Sequence, residues 1–327
     1  MKELSPVTIR CRHTIARIAL GFFAFFAAAI LGQVGLVLLF EWLAPAFAES
    51  VIFTWLASLL PMYLLGAPLL YLSVRKLPRA VPTAKRLRAR DFLVLLLIAY
   101  AAMYLTNLIG TAINAMTELI LGGSSQSGAT ELISSSALWI SVPVAVIIAP
   151  ILEELLFRKL ILSRLLPFGE GFAVLVSAVL FGLFHGNLAQ MPYAIAVGLV
   201  FGLVVARTGR VRDSIFMHAT LNFLGTVPAS LLMPLLKRFE SLDPSAEIAT
   251  EELLILLGSL LLLLVYLGIV FILVGLGVFF FIRHRRTFIP RPAAEPLPRG
   301  ERLSVLISPA VILYAVAILF LFVLSYL

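Results

Sequence analysis

Away from connectors and span ends, four ionisable side chains stand inside stretches otherwise apolar enough to cross a bilayer: Glu153, Glu154, His185 and His218. A charge there costs a few kcal/mol even on lenient scales, so each is a candidate functional group by default. Neighbouring helical residues point ~100° apart, and the two glutamates therefore cannot serve one site equally. Glu154 and Arg158 are spaced i, i+4, the separation of an ion pair on one helix face, which leaves Glu153 to face a cavity. The same spacing joins Phe181 to His185 and His218 to Asn222. One free carboxylate, two imidazoles and a carboxamide supply a base, a proton carrier and donors for a developing oxyanion. Taken singly, the clusters have structural explanations: a buried ion pair at Glu154 and Arg158, and interhelical hydrogen bonding at His218 and Asn222. Their joint occurrence on three segments points to chemistry. His13 and His284 sit in basic segments and read as solvated.

The elements that must position these groups follow from composition. The chain has 327 residues, 61% hydrophobic and only 13% charged, which excludes both an ordinary soluble domain and a disordered chain. It reads as an all-α, polytopic transmembrane helical bundle of about nine spans, near 18–40, 51–74, 92–120, 137–157, 171–187, 189–206, 214–236, 253–282 and 304–327. Of its 25 Lys and Arg, 23 fall in five segments: 1–17, 75–90, the residues after 157, those after 206, and 283–302. The alternate connectors, 41–50, 121–136, 186–188 and 237–252, hold only Lys237 and Arg238. The positive-inside rule then places the N-terminus in the cytoplasm and the C-terminus outside. Ala46-Phe47-Ala48 resembles a signal-peptidase site, but the long preceding apolar run and Glu41 favour an uncleaved span. The basic run 75–90 reads as a topology determinant near anionic headgroups. The lone Cys11 rules out an internal disulfide and a cysteine metal cluster. Three parts are expected: 1–136 with three spans, a four-helix core at 137–236 holding the polar residues, and 237–327 with two spans.

Depth sets a puzzle. Glu153 and His218 lie close to the basic boundary of their segments, whereas His185 is fifteen residues beyond Glu170, about 22 Å along a helix at ~1.5 Å per residue. The depths reconcile if the fourth helix continues to about Leu166, so that the fifth starts below the bilayer plane and ends inside the protein. Gly186 suits the helix C-cap this requires.

Glu153-Glu154-x-x-x-Arg158, Phe181-x-x-x-His185 and His218-x-x-x-Asn222, in this order on separate apolar segments, resemble the three motifs of the CPBP family. That family includes the type II CAAX prenyl endopeptidases and is also called the Abi family. The resemblance covers roughly 137–236 and gives the outer spans no function. It implies an intramembrane endopeptidase hydrolysing a peptide bond in a cytoplasm-facing cavity, on prenylated or other membrane-associated peptides. Carried over, Glu153 is the base that activates water, helped by His185. His218 and Asn222 stabilise the oxyanion, and Glu154, Arg158 and Phe181 support the site. No cofactor is required by this scheme, although Glu153, His185 and His218 could hold Zn²⁺ with water as fourth ligand. The chain lacks the His-Glu-x-x-His arrangement of common zinc peptidases. Expected partners are membrane lipid and a peptide or lipidated protein, not nucleic acid, and the expected setting is a bacterial plasma membrane. Two other functions stay open: a non-proteolytic scaffold, immunity or regulatory protein of the same fold, and a proton-coupled transporter.

Overall fold

Apolar stretches of this length must satisfy their own backbone hydrogen bonds in hydrocarbon, and helix is the form that does so segment by segment. The computed structural model describes residues 3–121, 132, 136–240, 250–293 and 296–326, and the described residues form helices without a strand. Most of the connectors 121–136 and 237–252 lies outside them. In chain order the main helices are α1 Pro6–Leu43, α2 Val51–Val74, α3 Ala89–Leu121, α4 Leu138–Phe168, α5 Glu170–Phe184, α6 Met191–Thr208, α7 Val211–Glu240, α8 Thr250–His284 and α9 Pro309–Leu324.

All nine expected stretches contain helix. Among the described residues seven helices are long and apolar enough to cross a membrane, or eight if α9 and the short turns before it, bent by 59°, make one span. Helix α5 is a shorter apolar helix. Its 15 residues rise about 22 Å, short of a ~30 Å hydrocarbon core. Glycines mark both limits: Gly169, at φ +112°, breaks the chain from α4, and Gly186, at φ +69°, follows the last turn. The fourth helix does run on past its apolar stretch, to Phe168, as the depth argument requires.

That extension moves two arginines out of the solvated connector to which their sequence position assigns them. Arg158 is 1% exposed and Arg164 5% exposed. Arg164 donates to the Val74 carbonyl at 2.6 Å, capping the end of α2. The remaining basic segments gather at the same end of the bundle. The Ala80 N–H donates to Ser163 O at 2.7 Å and the Lys85 N–H to Thr208 O at 2.8 Å. Arg207 donates to Glu170 at 2.7 Å and to Ile289 O at 2.9 Å. Ser5 Oγ donates to Glu301 at 2.6 Å. Charge sorting along the chain thus matches sidedness in space.

Helices α5 and α6 pack most tightly around the polar residues. A methyl group at Gly182 would stand 2.9 Å from the Met191 carbonyl oxygen, an approach only glycine permits. Phe157, Phe181 and Phe184 stack edge-on beside Phe22, Phe25 and Phe26 of α1, joining the N-terminal helices to the centre.

Candidate active site

The two glutamates sit on a short α-helical stretch of α4, Ala149–Glu154, between two π-helical stretches, Val142–Ile148 and Leu155–Leu162. Such insertions recur at functional sites because they shift the face a side chain presents. In the first stretch the N–H groups reach five residues back, with Ala149 N–H bonded to Val144 O. The next bond in that register would join residue 150 to Ala145, but Pro150 has no N–H. Asn222 of α7 supplies the missing donor, its Nδ2 lying 2.7 Å from Ala145 O. This role differs from the one the resemblance implies, since one of the two amide hydrogens is already used. The other remains available.

Glu154 is fully buried and takes the Arg158 Nε at 3.1 Å, the i, i+4 pair expected from spacing. Arg158 continues into α5, donating to Ser177 Oγ at 2.9 Å, and Ser177 in turn donates to Phe157 O at 3.1 Å. Its guanidinium carbon stands 5.1 Å from the Phe181 ring centre. Such further bonds help a buried ion pair to be tolerated, although Glu154 Oε1 and Arg158 Nη2 have no hydrogen-bond partner among the described residues.

His218 lies between the two carboxylates, an arrangement that spacing does not disclose. Its Nδ1 is 3.3 Å from Glu154 Oε1 and its Nε2 is 3.8 Å from Glu153 Oε2. Phe181 and Phe201 hold the ring, with centroids at 5.6 and 5.4 Å. Each glutamate has one oxygen buried without a hydrogen-bond partner among the described residues, Glu153 Oε2 and Glu154 Oε1, but the other oxygen of Glu154 is held by Arg158. Arg158 thus pairs with Glu154, as the helical-face argument expects.

His185 caps α5, and its ring stands edge-on to Phe181 at 4.9 Å, so one phenyl ring touches both histidines. Its Nδ1 is 2.8 Å from Phe181 O. A carbonyl only accepts, so Nδ1 carries the proton and the Nε2 lone pair is free. Phe181, in ring contact with both His185 and His218, links the second motif to the third, and the charge of Glu153 acts on His185. Asn187 fixes the turn that presents it, donating to His185 O at 3.0 Å and accepting the Gln190 N–H at 2.7 Å.

Sequence reasoning misses Asn187, Tyr63 and Tyr193. Both phenols lie within electrostatic reach of Glu153, Tyr63 from α2 and Tyr193 from the first turn of α6, where its ring also meets His185 at 6.5 Å. A polar group in the middle of the 51–74 apolar run was the available signal for Tyr63, but tyrosine is common enough in membrane helices to carry little weight. Among the described residues no three His, Cys, Asp or Glu side chains are arranged to hold a metal ion.

Residues 135–224, which contain all seven motif positions, match the family model described as type II CAAX prenyl endopeptidase Rce1-like. The chain is 35% identical over 103 residues to the putative membrane peptidase YdiL of Bacillus subtilis, covering 31% of this chain and 42% of that protein. It is 31% identical over 112 residues to the membrane-embedded CAAX protease MroQ of Staphylococcus aureus, covering 32% and 45%. The UPF0177 protein YxdF of Lactococcus lactis is 27% identical over 129 residues, covering 39% and 71%. The matches thus span under half the length of the two relatives named as peptidases. No solved structure matches. Residues 135–224, which carry the three motifs in order on α4, α5 and α7, are thus similar to type II CAAX prenyl endopeptidases over only part of the chain.

Proposed function

We propose that the protein is an endopeptidase in which Glu153 activates a water molecule for attack on a peptide carbonyl, in a cavity open toward the basic, cytoplasmic end. The observation that carries this reading is the unequal state of the two carboxylates: Arg158 holds Glu154, while the Oε2 of Glu153 is buried without a partner 3.8 Å from His218. Water gives its proton to Glu153 as its oxygen bonds the carbonyl carbon. The tetrahedral intermediate then collapses with cleavage of the C–N bond, and the proton passes from Glu153 to the leaving amine. His185, with Nε2 as acceptor, helps orient the water. His218 and the second amide hydrogen of Asn222 face the developing oxyanion, where donors fixed in a low-dielectric site act most strongly.

The substrate class is a membrane-associated or lipidated peptide, because the reacting groups lie among apolar helices that a soluble chain would not enter readily. Full-length protein in liposomes, given prenylated and unprenylated peptides, tests this with wild type and Glu153→Gln, each with and without a chelator. Loss of at least ~10²-fold in cleavage by Glu153→Gln is expected from removal of a general base. Normal cleavage by that variant removes Glu153 from the mechanism, and chelator-sensitive cleavage would restore the zinc alternative. A non-proteolytic scaffold is the second reading, favoured by the structural use of Asn222 and Arg158. A cellular phenotype unchanged in Glu153→Gln and His218→Ala would select it.

A further inference from the structure

A groove of about 760 Å³ lies at the basic end, between the segment preceding α3 and the first turns of α7. Arg86, Arg88, Arg210 and Arg212 line it, with Asp213 as the one carboxylate in the lining. Asp213 is shared by Arg210 at 3.0 Å and Arg212 at 3.7 Å. Arg86 and Arg88 are exposed, and no carboxylate among the described residues lies within ion-pair distance of either. The segment carrying them is fastened, not loose: Lys85 N–H bonds to Thr208 O, and Pro82 O abuts Gly209, whose φ of +65° leaves no room for a Cβ. The remaining wall is apolar, with Phe92 of α3 and Phe216 of α7, the latter 64% exposed.

We propose that this groove seats one anionic phospholipid, with its phosphate among the arginines and its acyl chains against Phe92 and Phe216. Charge complementarity asks for an anion, since four guanidinium groups face one carboxylate. The aromatic wall asks for an amphiphile, because a free anion gains nothing from it. The position suits both demands, as basic pockets between helices at the cytoplasmic boundary collect acidic headgroups. On α7, Phe216 points ~160° away from His218 at ~100° per residue, so the groove lies on the opposite face from the polar site. The inference is therefore independent of the peptidase reading.

The test is native mass spectrometry of the full chain released from nanodiscs of equal phosphatidylglycerol and phosphatidylcholine, counting retained lipid. At about 1 kcal/mol for each arginine near the surface, R86Q/R88Q should reduce the preference for phosphatidylglycerol roughly 30-fold. R86K/R88K, which keeps the charge, should stay within about fivefold of wild type, and R285Q/R286Q, at the same end but outside the groove, within about twofold. Excess inorganic phosphate should not displace the lipid. An unchanged preference in R86Q/R88Q, an equal fall in R285Q/R286Q, or displacement by phosphate would each overturn the proposal, the second as diffuse surface attraction and the third as a free-phosphate site.

Discussion

Replacing Asn222 by Ala removes the side-chain donor to Ala145 O, which Pro150 cannot replace in the i, i−5 register. An orphaned buried carbonyl costs about 1–3 kcal/mol. Interhelical hydrogen bonds measured in membranes average nearer ~0.6 kcal/mol, with a maximum of ~1.7, since the unfolded chain in lipid also finds partners. Asn222 is only half-buried, which places the expected loss at about 1–1.5 kcal/mol. Pro150→Ala gives residue 150 an N–H that reaches Ala145 O in the i, i−5 register. In that background Asn222→Ala should cost no more than ~0.5 kcal/mol, a coupling of about 1 kcal/mol across the pair. Unfolding of the four proteins in mixed micelles by increasing denaturing detergent measures the cycle. Activity separates the two duties of Asn222: Pro150→Ala should restore stability to Asn222→Ala but not cleavage, because the oxyanion donor is still absent. Additive stability effects, with coupling below ~0.3 kcal/mol, would refute the carbonyl-capping role. Recovery of cleavage together with stability would refute the oxyanion role.

Other outcomes follow from the same contacts. Arg158→Met leaves Glu154 buried with its main partner gone and should destabilise by roughly 3–5 kcal/mol, most of it recovered in Glu154→Gln/Arg158→Met, as read by detergent unfolding. Gly209→Ala should cost at least ~1–2 kcal/mol, because alanine is strained at φ +65° and its methyl meets Pro82 O. Burial raises the Glu170 pKa, but the hydrogen bond and charge of Arg207 and the Arg291 N–H outweigh it and hold the carboxyl below its usual value. A depressed folded-state pKa stabilises above the unfolded value and is lost as pH falls through the folded one. The difference in melting temperature between wild type and Glu170→Gln should therefore be full at neutral pH and shrink below about pH 4. A difference that persists unchanged at pH 3 would argue against that pairing.

Composition and charge order determined by themselves that this is a helical membrane protein, which stretches are helical and which ends lie together, because hydrocarbon leaves an apolar backbone few alternatives. Spacing also determined the Glu154–Arg158 pair and the separation of Glu153 from it, since an i, i+4 relation is fixed within one helix. The limits of the fifth helix were less legible. Fifteen apolar residues read alike whether they begin a crossing or stop inside the bundle, and the glycine torsions at 169 and 186 decide that for α5. Only the tertiary structure set His218 between both glutamates, Phe181 against His218 and the Asn222 amide on Ala145 O. Each of these contacts joins different helices, and helical periodicity carries no information about which neighbour a face will meet.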